Sequence, residues 1–328
     1  MVNQNPSNVD VNRTGNSTQL QPLQGRGKKW KQISINWELY LLCLLPVAWV
    51  IIFMYIPMYG NLIAFQRYIP SKGFFDSPWV GFDNFLRFFK NYKFVQVMWN
   101  TFYLNIYDLV VGFPIPIILA IILNYMPFKG YKKSAQMLTY APHFISTVVM
   151  VGIIFRLFIN RLGLVNVLLT HLGMEEINFL GSADLFPHLY VWTNVWQQMG
   201  WGTIIYLAAL SGVDPELHES ATVDGATVWQ RVWNIDIPGI LPTVVILLIL
   251  RLGQILQAGF EKVLLMQNNT NIEASEVLQT YVYQIGLASR NPNFSYATAI
   301  GLFQNLIMFG MLIVVNRIAR RVSETSLW

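Results

Sequence analysis

The stretch GVDPELHESATVDGATVWQRVWNIDIP occupies residues 212–238 and separates two long apolar segments. Its first part carries the signals of a helix start. Asp214 is a good N-cap, Pro215 takes the permitted first helical position, and Glu216 favours the positive end of the helix dipole. Asp224 and Gly225 then supply a turn. The pattern therefore predicts a short capped helix followed by a turn, rather than a plain connector.

A second helix is predicted to begin at about Thr227, to carry Val228, Val232 and Ile235 on one side, and to stop at Pro238. A short capped helix held along a membrane surface is a rigid projection that suits a partner's cleft. An amphipathic helix that only lies on lipid explains the same residues. The residues of the loop leave these two interpretations open.

The composition of the whole chain is that of a membrane protein. Of its 328 residues, 54% are hydrophobic and 12% are charged, whereas a soluble domain carries about 25% charged residues. A helix needs an apolar run of about 20 residues to cross the bilayer. We predict an all-α integral membrane protein with six such spans, at approximately 38–59, 100–126, 136–158, 189–211, 239–260 and 296–317.

The remaining segments give the chain its predicted organisation and orientation. Residues 1–37 are polar and predict a disordered N-terminal tail, 38–320 form one transmembrane domain, and 321–328 form a C-terminal tail. Basic residues are concentrated at 28–31, 129–133 and 317–321. Cytoplasmic flanks carry such an excess of Lys and Arg. We therefore predict that both termini and the 212–238 loop, between the fourth and fifth spans, are cytoplasmic.

The spacing within the loop resembles the EAA signature of permease subunits of binding-protein-dependent ABC importers. That signature runs Glu-Ala-Ala, three residues, Gly, nine residues, then Ile-x-Leu-Pro. Ser replaces the first Ala and Ile replaces Leu, but the turn glycine and the closing proline are kept. The matching positions are Glu219, Ser220, Ala221, Gly225, Ile235, Ile237 and Pro238.

The resemblance extends over about residues 38–320. Residues 79–85, Trp-Val-Gly-Phe-Asp-Asn-Phe, are similar to the Trp-Val-Gly-x-x-Asn-Phe element of sugar permeases. The chain looks most similar to the subgroup that takes up oligo- and polysaccharides, related to the maltose and alginate permeases. The resemblance implies the type I ABC importer permease fold, with 212–238 as its coupling-helix loop, in a bacterial cytoplasmic membrane.

The same resemblance implies a set of partners. These are a second permease subunit, usually a sister chain in sugar importers, two cytoplasmic ATPases, an extracellular or periplasmic solute-binding protein, and an oligosaccharide substrate. It implies that Glu219 makes a polar contact with the ATPase, Ala221 allows close approach and Gly225 turns the chain. Because the sequence lacks G-x-x-x-x-G-K-[ST], we expect ATP and Mg²⁺ to bind the ATPases and not this chain.

Polar residues within the predicted spans are candidates for the solute path, since each is costly in lipid. Asn194, Gln197, Gln198 and Trp201 are spaced to share one face of the fourth span. Amides can bond sugar hydroxyls and an indole can cover the apolar face of a sugar ring. The alternative is that these amides bond helix to helix.

Further polar side chains lie in the last two predicted spans. By the same spacing, one face of the fifth span should carry Arg251, Gln254, Gln257 and Glu261, and the sixth span adds Gln304 and Asn305. The same two interpretations apply to them.

One charge pairing follows from depth. Asp108 lies about nine residues, and Arg251 about ten, from the outer ends of their predicted spans, so both should be roughly 14–15 Å deep. An unpaired charge at that depth is costly. We therefore predict an ion pair between Asp108 and Arg251.

Other functional classes find less support in the sequence. The four histidines lack metal-ligand spacing, Cys43 is the single cysteine, no catalytic constellation appears, and no basic motif indicates nucleic acid. A permease for a non-sugar solute is the nearest alternative. A transporter independent of ATP would need an acid relay or inverted repeats, and a membrane enzyme would need a catalytic site.

Overall fold

The computed structural model describes residues 36–257 and 259–322 of the chain. These residues fall into two compact units that divide between Gly60 and Asn61. Most of the two predicted tails, residues 1–35 and 323–328, lies outside the described residues. Throughout the described part the fold is helical, and extended pairing is limited to the isolated bridges Gln66–Trp79 and Ile69–Gly73. The all-α prediction is therefore confirmed for these residues.

The first unit contains helix α1 (Trp37–Val50), which continues as a π-helical turn at Ile51–Tyr55 and an α-helical turn at Ile56–Met58. Glu38 is the one charged residue of α1. Its apolar side chains surround the whole circumference, as expected of a helix whose surroundings are apolar on every side. A 3₁₀-helical segment, Tyr59–Phe65, follows in the chain.

The second unit is built from fourteen further α-helices in its described part. They are α2 (Asp83–Phe89), α3 (Lys93–Gly112), α4 (Pro114–Asn124), α5 (Lys129–Tyr140), α6 (Thr147–Phe158), α7 (Leu164–His171), α8 (Phe186–Ser211), α9 (Pro215–Val223), α10 (Val228–Arg231), α11 (Ile237–Gly253), α12 (Phe260–Met266), α13 (Ile272–Ser275), α14 (Leu278–Tyr283) and α15 (Phe294–Val322).

Within the described residues, four helical segments are long and apolar enough to cross a membrane, or five if one bent pair counts as a span. The four are Trp37–Phe65, Lys93–Asn124, Val228–Gly253 and Phe294–Arg320. Helix α8, with 26 residues, has the length to cross at about 39 Å, but its amide residues make it less apolar. The count of six spans therefore stays a prediction.

The third predicted span is not one straight helix. Residues Lys129–Phe144 and Thr147–Phe158 form two helical pieces with an angle of 103° between them. Pro142 lies in a 3₁₀ turn between α5 and α6, and Ser146 starts α6 by accepting a hydrogen bond from the backbone N–H of Val149. An uninterrupted apolar run hides this break, because hydropathy does not register a proline or a helix cap.

The fifth predicted span is shifted toward the 212–238 loop. The helix expected to stop at Pro238 continues through it, and α11 ends at Gly253 rather than near residue 260. A π-helical turn at Val232–Asp236 directly precedes α11. Proline removes a backbone donor from a regular helix, and a π-helical turn locally alters the hydrogen-bond register. The loop and the fifth span are therefore one continuous helical segment from Val228 onward.

Helix α8 is the centre of the second unit. Its buried side chains contribute to a core cluster with α3, α6 and α12 that includes Leu104, Met150, Tyr190 and Val263. Nearer the loop, α8 packs Leu210 in a second cluster with α4 and α11. The burial of apolar area on several sides is the main favourable term holding these helices together.

Close approach of α8 to the end of α5 depends on Gly200. A Cβ atom at this position would lie 2.1 Å from the backbone oxygen of Thr139. We expect Gly200→Ala to lower the free energy of unfolding by about 1–3 kcal/mol or more, because overpacking against a backbone cannot be relieved by a rotamer change. Thermal unfolding in detergent measures this, with Gly152→Ala as the control, since that helical glycine has no atom near its Cβ position. Equal midpoints for both variants would contradict the packing argument.

Candidate functional site

A polar cavity of about 420 Å³ lies between α3, α4, α8 and α11. Much of its wall consists of small and apolar residues such as Gly112, Pro116 and Gly202. Its polar and aromatic lining comprises Asn105, Asp108, Tyr190, Asn194, Gln198, Trp201, Tyr206, Arg251, Gln254 and Gln257.

Three polar side chains, one each from α3, α8 and α11, bond to one another beside the cavity. Nη2 of Arg251 donates to Oδ2 of Asp108, and Nδ2 of Asn194 donates to Oδ1 of Asp108 over 2.7 Å. The Asp108 side chain is largely buried, whereas 48% of the Arg251 side chain is exposed, and Arg251 is one of the residues that line the cavity. Arg251 is therefore the partner that the depth argument predicts for Asp108, and the guanidinium keeps part of its surface accessible.

Of the four residues predicted to share one face of α8, three line the cavity and one does not. Asn194, Gln198 and Trp201 line the cavity. Gln197 does not: only 6% exposed, it donates through Nε2 to the carbonyl of Ile145 over 3.0 Å. Gln197 thus holds α8 to the break between the two pieces of the third predicted span, as the helix-to-helix alternative describes.

The predicted positions of the polar residues on the fifth and sixth spans are also partly wrong. Gln254 and Gln257 line the cavity, but from the turn after α11 and not from a helical face shared with Arg251 and Glu261. The helix ends at Gly253, where a Cβ atom would lie 2.8 Å from a side-chain carbon of Leu312. Glycine at this point allows α15 to approach α11 and also weakens the helix.

Gln304 and Asn305 line a different, mainly apolar cavity of about 1010 Å³. Gln304 is buried and donates through Nε2 to the carbonyl of Leu256 over 2.7 Å. The structure therefore does not bring these two residues to the cavity that contains Asp108.

His143 contacts two residues that line the cavity, and the sequence pattern did not predict this. Its ring stacks on Trp201 with centroids 4.4 Å apart and planes at 3°. Its Nδ1 lies 3.0 Å from Oε1 of Gln198. Because His143 is far from α8 in sequence, spacing cannot reveal the contact. The stack covers one face of the indole and fixes its orientation toward the cavity.

Lys262 on α12 is a buried amine next to α8. This residue is 4% exposed, its Nζ is 3.4 Å from the carbonyl oxygen of Tyr190, and it lies 5.3 Å from the centroid of that ring. Burial lowers the pKa of Lys262 to about 7, although the negative charge of Asp108 opposes the shift. Helix α12 lies outside the candidate membrane-crossing helices.

The loop at 212–238 has the N-cap that its sequence predicts at Asp214 and a second cap at Thr227. Oδ1 of Asp214 accepts from the backbone N–H of Glu216 over 3.0 Å, and Thr227 begins α10 in a capping box with Gln230. Gly225 has a φ of +77°, in the left-handed region that glycine adopts without strain. The first short helix, the turn and the start of the second helix are therefore confirmed, whereas the predicted stop of the second helix at Pro238 is wrong.

The motif positions on the loop present an accessible surface. Glu219 and Ser220 on α9 and Gly225 in the turn are exposed, while Ala221 is half-buried. Large apolar side chains beside them are also exposed, namely Leu217, Val223, Trp229 and Trp233. An exposed apolar patch beside polar side chains is typical of a protein-binding surface.

The cavity and the capped loop define a membrane transport component, and comparison with known proteins agrees. Residues 93–324 match the family described as binding-protein-dependent transport system inner membrane component. The chain belongs to this family.

Two curated proteins of Bacillus subtilis (strain 168) illustrate the relationship. Protein LplB is 41% identical over 305 residues, which cover 93% of this chain and 95% of LplB. The polygalacturonan/rhamnogalacturonan transport system permease protein YteP is 41% identical over 290 residues, covering 88% and 90%. A solved bacterial ABC transporter that imports the acidic polysaccharide alginate contains a chain with 37% identity and a TM-score of 0.84, covering 90% of this chain and 99% of that one.

Breaking the Asp108–Arg251 pair should destabilise the fold. We expect Asp108→Asn to lower the thermal midpoint more than the double variant Asp108→Asn/Arg251→Gln, because the single change leaves the guanidinium without its carboxylate. Loss of one partner of a fully buried pair costs about 3–5 kcal/mol, and the half-exposed Arg251 should make the loss smaller. A single variant as stable as the original protein, measured by thermal unfolding in detergent, would contradict a structural role for the pair.

Lys262 should make stability depend on pH. Below pH 7 the amine is protonated in both the folded and the unfolded protein, so burying its charge destabilises the fold to the greatest extent. Between pH 7 and its ordinary pKa of 10.5 the folded protein holds the amine neutral, and this destabilisation becomes smaller as the pH rises. We expect Lys262→Met to raise the thermal midpoint by roughly 2–4 °C at pH 6 and by less at pH 9. Lys90→Met, at an exposed position, is the control. An equal rise in thermal midpoint at pH 6 and pH 9 would contradict the lowered pKa of Lys262.

Proposed function

We propose that this chain is the transmembrane permease subunit of an ATP-driven ABC importer, and that it forms half of the path for an oligosaccharide or polysaccharide. The observation that carries the proposal is its family membership together with extensive similarity to permeases of saccharide transport systems. YteP is named for polygalacturonan and rhamnogalacturonan. A further relative, at 30% identity, is named as an arabinooligosaccharide permease.

The chemistry of the cavity supports a saccharide as the transported solute. Gln198, Gln254 and Gln257 offer amide donors and acceptors, which match sugar hydroxyls. Trp201 adds an aromatic surface whose orientation is held by His143. The accessible part of the Arg251 guanidinium adds a positive charge, which suits a carboxylate-bearing sugar such as those in the substrates named for YteP and the alginate importer.

For the topology we propose six spans with both termini cytoplasmic. The bent pair α5–α6 would serve as the third span and α8 as the fourth. Polar residues on α8 are compatible with this position, because they face neighbouring helices or the cavity rather than lipid. Under this topology α9 and α10 are cytoplasmic.

We assign ATPase coupling to α9 and the turn that follows it. Glu219 and Ser220 would contact one cytoplasmic ATPase, Ala221 would permit close approach, and Gly225 would turn the chain toward α10. The hydrolysed ATP and its Mg²⁺ would be held by two such ATPases. A second permease, a sister chain in the preferred arrangement, and an extracellular or periplasmic solute-binding protein complete the assembly, and the solute-binding protein of the alginate importer has been seen in complex with its transporter.

A permease for a non-sugar solute is the second candidate. Its support is a 25% identical relative from Yersinia pestis that is named as an sn-glycerol-3-phosphate permease. Uptake of labelled oligogalacturonide, arabino-oligosaccharide and glycerol 3-phosphate by cells that express the complete importer distinguishes the candidates. Uptake of only the phosphate ester would overturn the saccharide assignment.

The coupling assignment is tested by a proline substitution at the turn. Gly225 has a positive φ and donates its backbone N–H to Thr222. Proline cannot adopt a positive φ and has no N–H. We expect Gly225→Pro to abolish co-purification of the ATPase with the tagged permease.

Gly173→Pro is the matched control for this experiment. Gly173 also has a positive φ, and it donates its N–H to Thr170 in the same manner, but it lies between the third and fourth predicted spans, which six spans with cytoplasmic termini place on the outer side. The Gly173→Pro permease should still co-purify with the ATPase. Retention of the ATPase by Gly225→Pro, or transport by the purified chain without ATP, would contradict the proposed function.

A further inference from the structure

A fully buried carboxylate lies at the start of the fifth predicted span. Asp236, in the π-helical turn before α11, is 0% exposed. Its Oδ2 accepts a hydrogen bond of 2.6 Å from the hydroxyl of Tyr125, directly after the end of α4. Burial, followed by the hydrogen bond to Asp236, raises the pKa of Tyr125 to about 12. The phenol therefore keeps its proton at physiological pH and remains a donor to Asp236.

The second oxygen of Asp236 faces α9. Oδ1 is 3.4 Å from Nε2 of His218, yet it is buried and has no hydrogen-bond partner among the described residues. The separation is thus within ion-pair range, but no hydrogen bond joins the two groups. An unsatisfied buried acceptor costs about 1–3 kcal/mol. A small displacement of α9 would bring the imidazole donor into line with this oxygen.

Arg231 closes the opposite side of the same cluster. Its guanidinium lies 5.7 Å from the centroid of the Tyr125 ring, and Nη1 donates to Oγ1 of Thr222 over 3.0 Å. Its Nε is buried and has no partner among the described residues. Thr222 and His218 are four residues apart on α9, so one face of α9 meets the cluster at two points.

Helix α9 depends on these polar contacts for its attachment. None of its residues is buried, so α9 contributes little of its own apolar area to the core. Asp236 is joined through its own helical segment to α11, whose residues Leu247 and Arg251 line the cavity. About 15 residues separate Asp236 from Arg251, a distance of about 22 Å along the helix. The cluster therefore connects the surface of the loop with the wall of the cavity.

We propose that Asp236 is a positioning residue that locks α9 to the cytoplasmic ends of α4 and α11, so that movement of α9 is passed to the helices that line the cavity. The proposal rests on the proposed function, in which α9 binds the ATPase. Tyr125 and His218 are the contacts of Asp236 to α4 and α9. The two unsatisfied polar atoms identify the interface that rearranges when α9 is displaced.

The test uses the complete importer, with its second permease, ATPases and solute-binding protein, reconstituted in nanodiscs. The variants are Asp236→Asn, Tyr125→Phe and His218→Ala. We expect the ATPases to remain bound and basal ATP hydrolysis to persist, while the stimulation of hydrolysis by saccharide-loaded binding protein falls at least fivefold and uptake falls with it. His218→Gln, whose amide nitrogen can replace Nε2 as a donor, should restore most of the stimulation.

Tyr131→Phe is the matched control for loss of a single hydroxyl, because Tyr131 is exposed on α5, and it should behave as the unsubstituted chain. Unchanged stimulation and uptake in all three cluster variants would overturn the proposal. Loss of bound ATPase in these variants would also overturn it, since the cluster would then only support the docking surface. Failure of the proposed function is separate: it appears as retention of the ATPase by Gly225→Pro, or as absence of any ATPase from the unsubstituted complex.

Discussion

The carboxylate of Asp108 places the strongest constraint on this fold. A charge within a membrane helix is costly unless it is paired, and here α8 and α11 each contribute a partner, Asn194 and Arg251. These two contacts join α3, α8 and α11 at one point. The cavity lies beside this junction, and its wall includes Gly112 and Gly202, where the absence of a side chain lets α3 and α8 come close to their neighbours.

The same junction connects the membrane part to the loop. Arg251 lies near one end of a helical segment that runs without a break from Val228 to Gly253, and Asp236 lies near the other. A helix transmits displacement along its axis because its backbone hydrogen bonds resist extension and bending. The π-helical turn at Val232–Asp236 directly precedes Pro238, which lies in the first turn of α11 and has no backbone N–H to donate.

Sequence reasoning failed at one local feature and at several that depend on the tertiary structure. The break in the third span arises at Pro142 and at the cap supplied by Ser146, two features within an apolar run that hydropathy treats as uniform. Gln304 has the same chemistry as Gln254, but it bonds the backbone of Leu256 and does not line the cavity with Asp108. The stack of His143 on Trp201 joins segments that are distant in the chain, so no local spacing could indicate it.

By itself, the sequence determined the features that depend on neighbouring residues or on depth: the helical class, the cap at Asp214, the helix start near Thr227, the turn at Gly225, and the pairing of Asp108 with Arg251. Tertiary structure decided which polar side chains face the cavity. Adjacent residues on a helix point about 100° apart, so Gln198 lines the cavity while Gln197 bonds a neighbouring segment. The rotation of α8 that separates them is set by packing against α3, α4 and α11, which no local pattern contains.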